Sequence, residues 1–280
     1  MVKIAGILNV TPDSFSDGGR FYKIADSIKY VTELVAYGAD IIDVGGESSR
    51  PGSVVVSEEE EISRVIPTIK EIKKRFPKIP ISVDTYKPNV ALKAIEAGAE
   101  IVNDIYGLRW SSRKSHNENS MADVVAEKNV SVVIMHMKGT PQNMQENPEY
   151  DDVVSEIYKF FEEQLKFANS NGIKKEKIIL DPGIGFGKTL QHNLLIIKNL
   201  QKFKKLKMPL MVGPSRKSFI KCLLDTNLVG NNNIDVLNRL EGTIAASIYC
   251  ALNGADYLRI HDVLSVKKAI IVSEAIKNVQ

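Results

Sequence analysis

Cysteine is almost missing from this chain of 280 residues: Cys222 and Cys250 are the two, both in apolar helical-looking segments and neither in a C-x-x-C pair. That excludes a disulfide framework and a thiolate metal site, and reads as two buried free thiols in a reducing compartment. Histidine is nearly as sparse. His116, His136, His192 and His261 never fall at metal-ligand spacing, and no Ser-His-Asp assignment is forced, so protein-held zinc and acyl-transfer chemistry are disfavoured. No apolar run approaches the ~18 residues of a membrane span, and no basic and apolar leader precedes the strand-like Lys3 to Val10, so a soluble cytoplasmic protein is expected. An excess of one charge is lacking as well. The 37 basic and 34 acidic residues leave +3, too little and too evenly spread for a nucleic-acid or membrane surface, while small anionic ligands stay compatible.

What is present is alternation. With 44% hydrophobic and 25% charged residues, the chain is long enough for one large core, and one domain over residues 1–280 is the default. Short β-branched apolar runs predict strands near 3–10, 41–46, 81–85, 101–105, 131–137, 177–182, 209–214 and 257–261. Helical periodicity fills 24–37, 57–75, 88–97, 119–129, 151–171, 190–205, 236–253 and 264–278. Eight strands each followed by a helix is the count of an α/β (β/α)8, or TIM, barrel, although a doubly wound open sheet gives a similar string. An internal echo favours the barrel. Gly38-Ala39-Asp40, Gly98-Ala99-Glu100 and Gly254-Ala255-Asp256 each join a helix end to the next strand, where glycine takes the left-handed turn that stops a helix. The opposite connections, 9–22, 46–57, 138–150 and 214–218, are polar, on the C-terminal side of the strands where a barrel keeps its active site. Trp110 to Asn119 and Thr226 to Asn233 are polar and read as dispensable surface.

The most informative stretch is Asn9-Val10-Thr11-Pro12-Asp13-Ser14-Phe15-Ser16-Asp17-Gly18-Gly19. Apolar residues end at one carboxamide, and a strand that ends in such a polar loop delivers side chains to a ligand. Taking the last residues of every strand collects Asn9, Asp43, Glu47, Asp84, Asn103, Asp104, Met135, His136, Asp181, Ser215, Arg216, Lys217, Arg259 and His261. At strand C-termini these point toward the barrel mouth, and a structural network closing the barrel top is expected for about a third of them. Asp84, Asn103 and Asp181 offer carboxylates and a carboxamide of the kind that reads a flat, donor-rich heterocycle. Asp181-Pro182-Gly183-Ile184-Gly185-Phe186-Gly187-Lys188-Thr189 fails the Walker spacing, which disfavours nucleoside triphosphates, while its glycines permit close approach and Phe186 can lie against a ligand ring or cap the barrel. Ser215-Arg216-Lys217-Ser218 puts a cation at the mouth, and Arg259 and His261 alternate onto one face of the last strand, where with Asn9 they suit a phosphate group. Magnesium arriving with a diphosphate needs only one or two protein oxygens, such as that of Asn9.

The chain resembles the dihydropteroate synthase family from end to end. The likeness is carried by Leu8 to Gly19, Asp43-Val44-Gly45-Gly46-Glu47-Ser48-Ser49-Arg50-Pro51-Gly52, Ser82-Val83-Asp84-Thr85, Asn103-Asp104-Ile105, Met135-His136-Met137, Asp181 to Lys188, Ser215-Arg216-Lys217 and Arg259-Ile260-His261-Asp262, in that order. The resemblance implies a pterin-binding (β/α)8 barrel that joins 6-hydroxymethyl-7,8-dihydropterin diphosphate to 4-aminobenzoate, giving 7,8-dihydropteroate and pyrophosphate in folate synthesis. It further implies that Asp84, Asn103, Asp181 and Lys217 grip the pterin, with Met135 and Phe186 lining its slot, and that Asn9, Arg259 and His261 hold the diphosphate and its Mg2+. Phe15, Ser49, Arg50 and Pro51 match two loops that close over the site, shaping the 4-aminobenzoate pocket with Lys217 and Ser215. A homodimer through the outer helices 236–253 and 264–278 is expected on the same ground.

Two departures stand out. Ser49 replaces the threonine of many relatives, a loss of one methyl worth up to about 1 kcal/mol, which shifts affinity for 4-aminobenzoate or sulfonamide mimics modestly. The 109–120 insertion follows the fourth strand as a floppy excursion. The competing readings are a pterin-dependent methyltransferase, which has no need for Ser215-Arg216-Lys217 or the first-loop run, and a catalytically silent pterin-binding relative, against which every site position carries a competent side chain.

Overall fold

Strand alternates with helix throughout the computed structural model, which describes residues 1–11, 20–50, 52–110, 119–227 and 239–279. Its strands are β1 Lys3–Asn9, β2 Ile41–Gly45, β3 Ile81–Asp84, β4 Ile101–Asp104, β5 Ser131–Met135, β6 Ile178–Asp181, β7 Met211–Val212 and β8 Tyr257–Ile260. All pair in parallel, in the order β6-β5-β4-β3-β2-β1-β8-β7. A parallel bridge between Leu180 and Leu210, with the Leu180 amide donating to the Pro209 carbonyl at 2.9 Å, joins β6 to the β7 side and closes the sheet into the expected barrel. β7 is shorter than the predicted 209–214 because Pro209 and Pro214 lack the amide hydrogens a ladder needs.

The helices are α1 Arg20–Ala36, α2 Glu58–Arg75, α3 Pro88–Glu96, α4 Met121–Lys128, α5 Val153–Ser170, α6 Leu190–Lys198, α7 Leu200–Phe203, α8 Ser218–Asn227, α9 Leu240–Leu252 and α10 Val263–Asn278. Gly38, Gly98 and Gly254 adopt φ of +88°, +115° and +102°, so the echo seen in the sequence is a set of three bottom-face turns. No helix among the described residues is long and apolar enough to cross a membrane.

Several expectations need correction. The helix predicted over 190–205 is broken at Asn199, whose side-chain amide donates to the Leu195 carbonyl at 2.8 Å and competes with the continuing ladder. α8 was not among the predicted helices, although Phe219, Ile220, Leu223 and Leu224 recur at helical spacing within its ten residues and face the core. It takes in Thr226 and Asn227 of the supposed surface stretch, and residues 228–238 lie outside the described residues. Cys222 is exposed on α8, against the buried-thiol reading, while Cys250 is buried as expected. Trp110 is not dispensable surface: its ring packs against Tyr86 and Tyr106 at 4.8 and 4.9 Å between centroids. Arg109 likewise donates to the carbonyls of Tyr106 and Met137 and covers Phe160, so the excursion, whose residues 111–118 lie outside the described residues, starts from a rigid base.

Along each strand the outward residues feed the core between sheet and helices, and the inward ones fill the barrel. Ala5, Ile41, Ile101, Val133, Ile179, Met211 and Tyr257 pack as a separate cluster that plugs the lower barrel. Two residues further along the same strands stand Ile7, Asp43, Asn103, Met135, Asp181, Gly213 and Arg259. The inner layer therefore turns from apolar to polar within one repeat of the pleat.

Candidate active site

Register sets the polar layer. Asn9 pairs with Gly45, Gly45 with Asp84, and Asp84 with Asn103, so four neighbouring strands end level with one another. Gly45 leaves the floor open, since a Cβ there would stand 3.6 Å from Asp84 Oδ2 and 3.8 Å from Asn9 Oδ1. Across the barrel Met135 pairs with Asp181.

Arg259 is the hub. Its Nε donates to Asp43 Oδ2 and its Nη2 to Asp84 Oδ2, both at 2.6 Å, and Asn103 Nδ2 reaches the same Asp43 oxygen at 3.4 Å. Asp84 and Arg259, given separate duties by the resemblance, are thus one ion-paired unit. Burial pushes the Asp84 carboxyl up, Arg259 pulls it down, and the second carboxylate at Asp43 pushes it up again. Burial works against the Arg259 cation, and the carboxylates of Asp43 and Asp84 more than offset it. Asp43 is the residue that sequence reasoning left without a role. Its signal was there, on the inward alternation of β2, but its partner lies on the last strand.

Asp181 accepts the Gly183 amide at 2.7 Å through Oδ1, and burial raises its carboxyl to about 6. Gly183 is required here: at φ +69° its Cβ would lie 2.0 Å from the His136 carbonyl oxygen. Lys217 Nζ sits 4.1 Å over the Phe186 ring, and burial, with Arg259 nearby, lowers its ammonium to about 8. Met135 and Phe186 pack in one buried cluster with Tyr86, Ile105, Met137 and Met144, and Tyr106 and Trp110 lean on it, which forms an apolar wall beside the polar layer.

On the β7 and β8 side, Ser215 Oγ lies 3.0 Å from His261 Nδ1 and accepts the His261 amide at 3.2 Å. Burial and the cations Arg259 and Arg216 hold His261 down to about 3, so it is a neutral imidazole. Arg216 is bidentate to Asp262 and its backbone sits at φ +57°, held by Thr243 Oγ1 and by Arg239, which donates to its carbonyl. Ser49 and exposed Arg50 stand on the loop after β2, and Arg50 is near enough to oppose the Lys217 charge. Phe15 and Pro51 lie outside the described residues.

Other strand-end residues serve structure. Asp104 accepts the amides of Tyr106 and Leu108 and folds the turn after β4. His136 Nδ1 meets Lys188 Nζ at 3.1 Å, and Lys188 also donates to the carbonyls of His136 and Phe186, pinning the Gly183–Gly187 loop to β5. Glu47 bonds Lys87 and Tyr86.

Among the described residues no cluster of three His, Cys, Asp or Glu could hold a metal by itself. Asn9, last residue of β1 and level with Asp84, offers one carboxamide oxygen, a donor of the kind that a magnesium ion carried in by a diphosphate would need from the protein.

Residues 5–261 match the family described as pterin binding enzyme. The dihydropteroate synthase of Escherichia coli K12 is 45% identical over 97% of this chain and 90% of its own length. The dihydropteroate synthase of Xanthomonas albilineans with 4-aminobenzoic acid superposes with a TM-score of 0.88 at 38% identity, covering 100% of this chain and 94% of that one. A second structure of that synthase, in complex with 7,8-dihydropteroate, gives a TM-score of 0.85 at 36% identity, covering 100% of this chain and 95% of the other.

Proposed function

The chain belongs to the pterin-binding enzymes and, among them, to the dihydropteroate synthases, and from that membership we propose how its own residues carry the transfer of a dihydropterin-methyl group to 4-aminobenzoate. The observation that carries the reading is the polar inner layer of Asp43, Asp84, Asn103, Asp181 and Arg259, faced by Lys217 and walled by Met135 and Phe186.

Asp181 keeps one oxygen beyond its bond to Gly183, and Asn103 keeps its carboxamide oxygen; both suit the N–H edge of a pterin. Lys217 supplies a donor for the ring's acceptors, and Phe186 and Met135 suit its flat face. The step is a displacement at the methylene carbon: its bond to the diphosphate oxygen breaks, the electron pair leaves with that oxygen, and positive charge spreads onto the pterin. Asp84, buried and fixed by Arg259, is aimed where that charge develops and favours the transition state over the ground state. The arylamine lone pair of 4-aminobenzoate then forms the new C–N bond, and the acidic arylammonium loses its proton to water without a strong base. Arg259, with its remaining donors, and His261, neutral beside Ser215, suit the leaving diphosphate. A magnesium ion bound there with Asn9 would neutralise its charge. Ser49 and Arg50 are the loop residues suited to the 4-aminobenzoate carboxylate, with Ser215 at the opposite rim.

We assign the protein to the cytoplasm, where its two free thiols stay reduced. A homodimer through α9 and α10 accounts for the exposed apolar side chains there. The reaction is tested by pyrophosphate release from the dihydropterin diphosphate and Mg2+, with and without 4-aminobenzoate. Release should require 4-aminobenzoate, yield dihydropteroate, and drop by about 100-fold to 1,000-fold in Asp84→Asn. Pterin binding without release would instead identify a silent relative.

A further inference from the structure

The loop carrying Ser49 and Arg50 leaves β2 and rejoins the fold at α2, and its two ends meet on one cation. Lys87, buried at the start of α3, places Nζ 2.5 Å from Glu47 Oε2, 2.5 Å from the Val56 carbonyl oxygen and 2.7 Å from Glu61 Oε2. Glu47 Oε2 also accepts the Val56 amide at 3.2 Å, and Tyr86 donates to Glu47 Oε1 at 3.0 Å. From the outer side Arg64 donates to the Gly46 carbonyl at 2.7 Å. Residues 47 and 56 therefore form a closed neck. Between them Val54 and Val55 are 84% and 57% exposed, and the Gly52 amide donates to the Pro141 carbonyl at 3.2 Å.

This is a costly way to tie a loop. Lys87 and Glu61 are 5% and 1% exposed, and one ammonium serves two carboxylates. Apolar residues of like volume would close the same space without the desolvation, so what the ions add is geometry: two bonds in fixed directions on the two ends of one loop and a third to Glu61 on α2. A loop with a pinned neck has fewer conformations to lose when it closes over a ligand.

We propose that Lys87 and Glu47 are positioning residues for the second substrate: their clasp sets where Ser49 and Arg50 stand over the mouth, and so sets the affinity for 4-aminobenzoate. This rests on the reading of the site given above. All three Lys87 hydrogen bonds go to the neck and its supporting helix, and its contact with the wall of the pterin slot is confined to the Tyr86 ring, 5.2 Å from Nζ, so the larger effect is expected on the second substrate.

The experiment compares Lys87→Met, Lys87→Arg and Glu47→Gln with the unmodified protein by steady-state kinetics for both substrates, by thermal melting and by elastase nicking at Val54 and Val55. Lys87→Met should raise KM for 4-aminobenzoate about tenfold, leave KM for the dihydropterin diphosphate within about twofold, and speed nicking, with Lys87→Arg recovering much of both. Should Lys87→Met fail to fold, Glu47→Gln, which leaves Lys87 paired with Glu61, carries the same expectations at smaller size. Unchanged nicking, or both KM values rising together with a lowered Tm, would overturn the positioning role. Nicking needs no turnover, so an unmodified protein without synthase activity would refute the reading of the site while the clasp is still judged on its own.

Discussion

At the scale of single residues, the polar layer works against stability. Burial holds Asp181 at about 6 in the folded protein, against 3.8 for an unperturbed carboxyl. Between those values the folded chain binds more protons than the unfolded one, so this contribution to stability is whole below the lower value and declines as pH rises to the upper. Asparagine does not titrate, and its oxygen can still accept the Gly183 amide. Asp181→Asn should therefore gain Tm relative to the unmodified protein between about pH 4.5 and pH 7. Thermal melts at both pH values check this, and an equal difference at the two would refute it. Asp84, Asn103, Asp181, Lys217 and Arg259 were legible in the sequence because each stands at or just beyond a strand end with chemistry that apolar strands do not otherwise carry. Asp43 and Lys87 were seen as letters without roles, since their partners are 216 residues away at Arg259 and 40 away at Glu47.

At the scale of elements, the packing of α8 against α9 sets an unusual sign. Gly242 lies in the first turn of α9, where alanine is ordinarily better than glycine by about 0.5–1 kcal/mol. A Cβ there would stand 2.3 Å from Ile220 Cγ2, on a β-branched side chain that is itself buried. The clash wins, and Gly242→Ala should destabilise by about 1–3 kcal/mol. Chemical denaturation measures it, and a stabilised variant would show that α8 yields freely. α8 escaped the sequence reading although Phe219, Ile220, Leu223 and Leu224 keep helical spacing, because a helix of ten residues is a short signal, whereas the long amphipathic α2 and α5 were recovered to within two residues at each end. Asn199 shows the converse: periodicity runs through it, and one local side-chain bond ends the helix.

At the scale of the whole molecule, large apolar side chains left outside the barrel concentrate on its last two helices. Tyr249 and Leu252 of α9 and Leu264, Ile271, Val272 and Ile276 of α10 are exposed on adjacent elements, a face more apolar than an isolated surface favours. A second copy of the chain covers it in the homodimer proposed above. Sedimentation should give roughly twice 31.1 kDa, and Val272→Glu with Ile276→Glu, four residues apart on one face of α10, should return the monomer mass. A protein that sediments as a monomer before substitution would refute the dimer.

Periodicity, glycine turns and strand-terminal chemistry are local properties, so the eight strands, most of the helices between them, the three tight bottom turns and the polar strand ends could be read from the chain alone. The closure of the sheet at Leu180 and Leu210, the binding of Asp43 and Asp84 together by Arg259, and the tie of Lys87 on the neck of the loop bearing Ser49 and Arg50 appear with the fold. Those are contacts between distant segments, and a charge shows what it can bind only when burial has fixed which opposite charge is within reach.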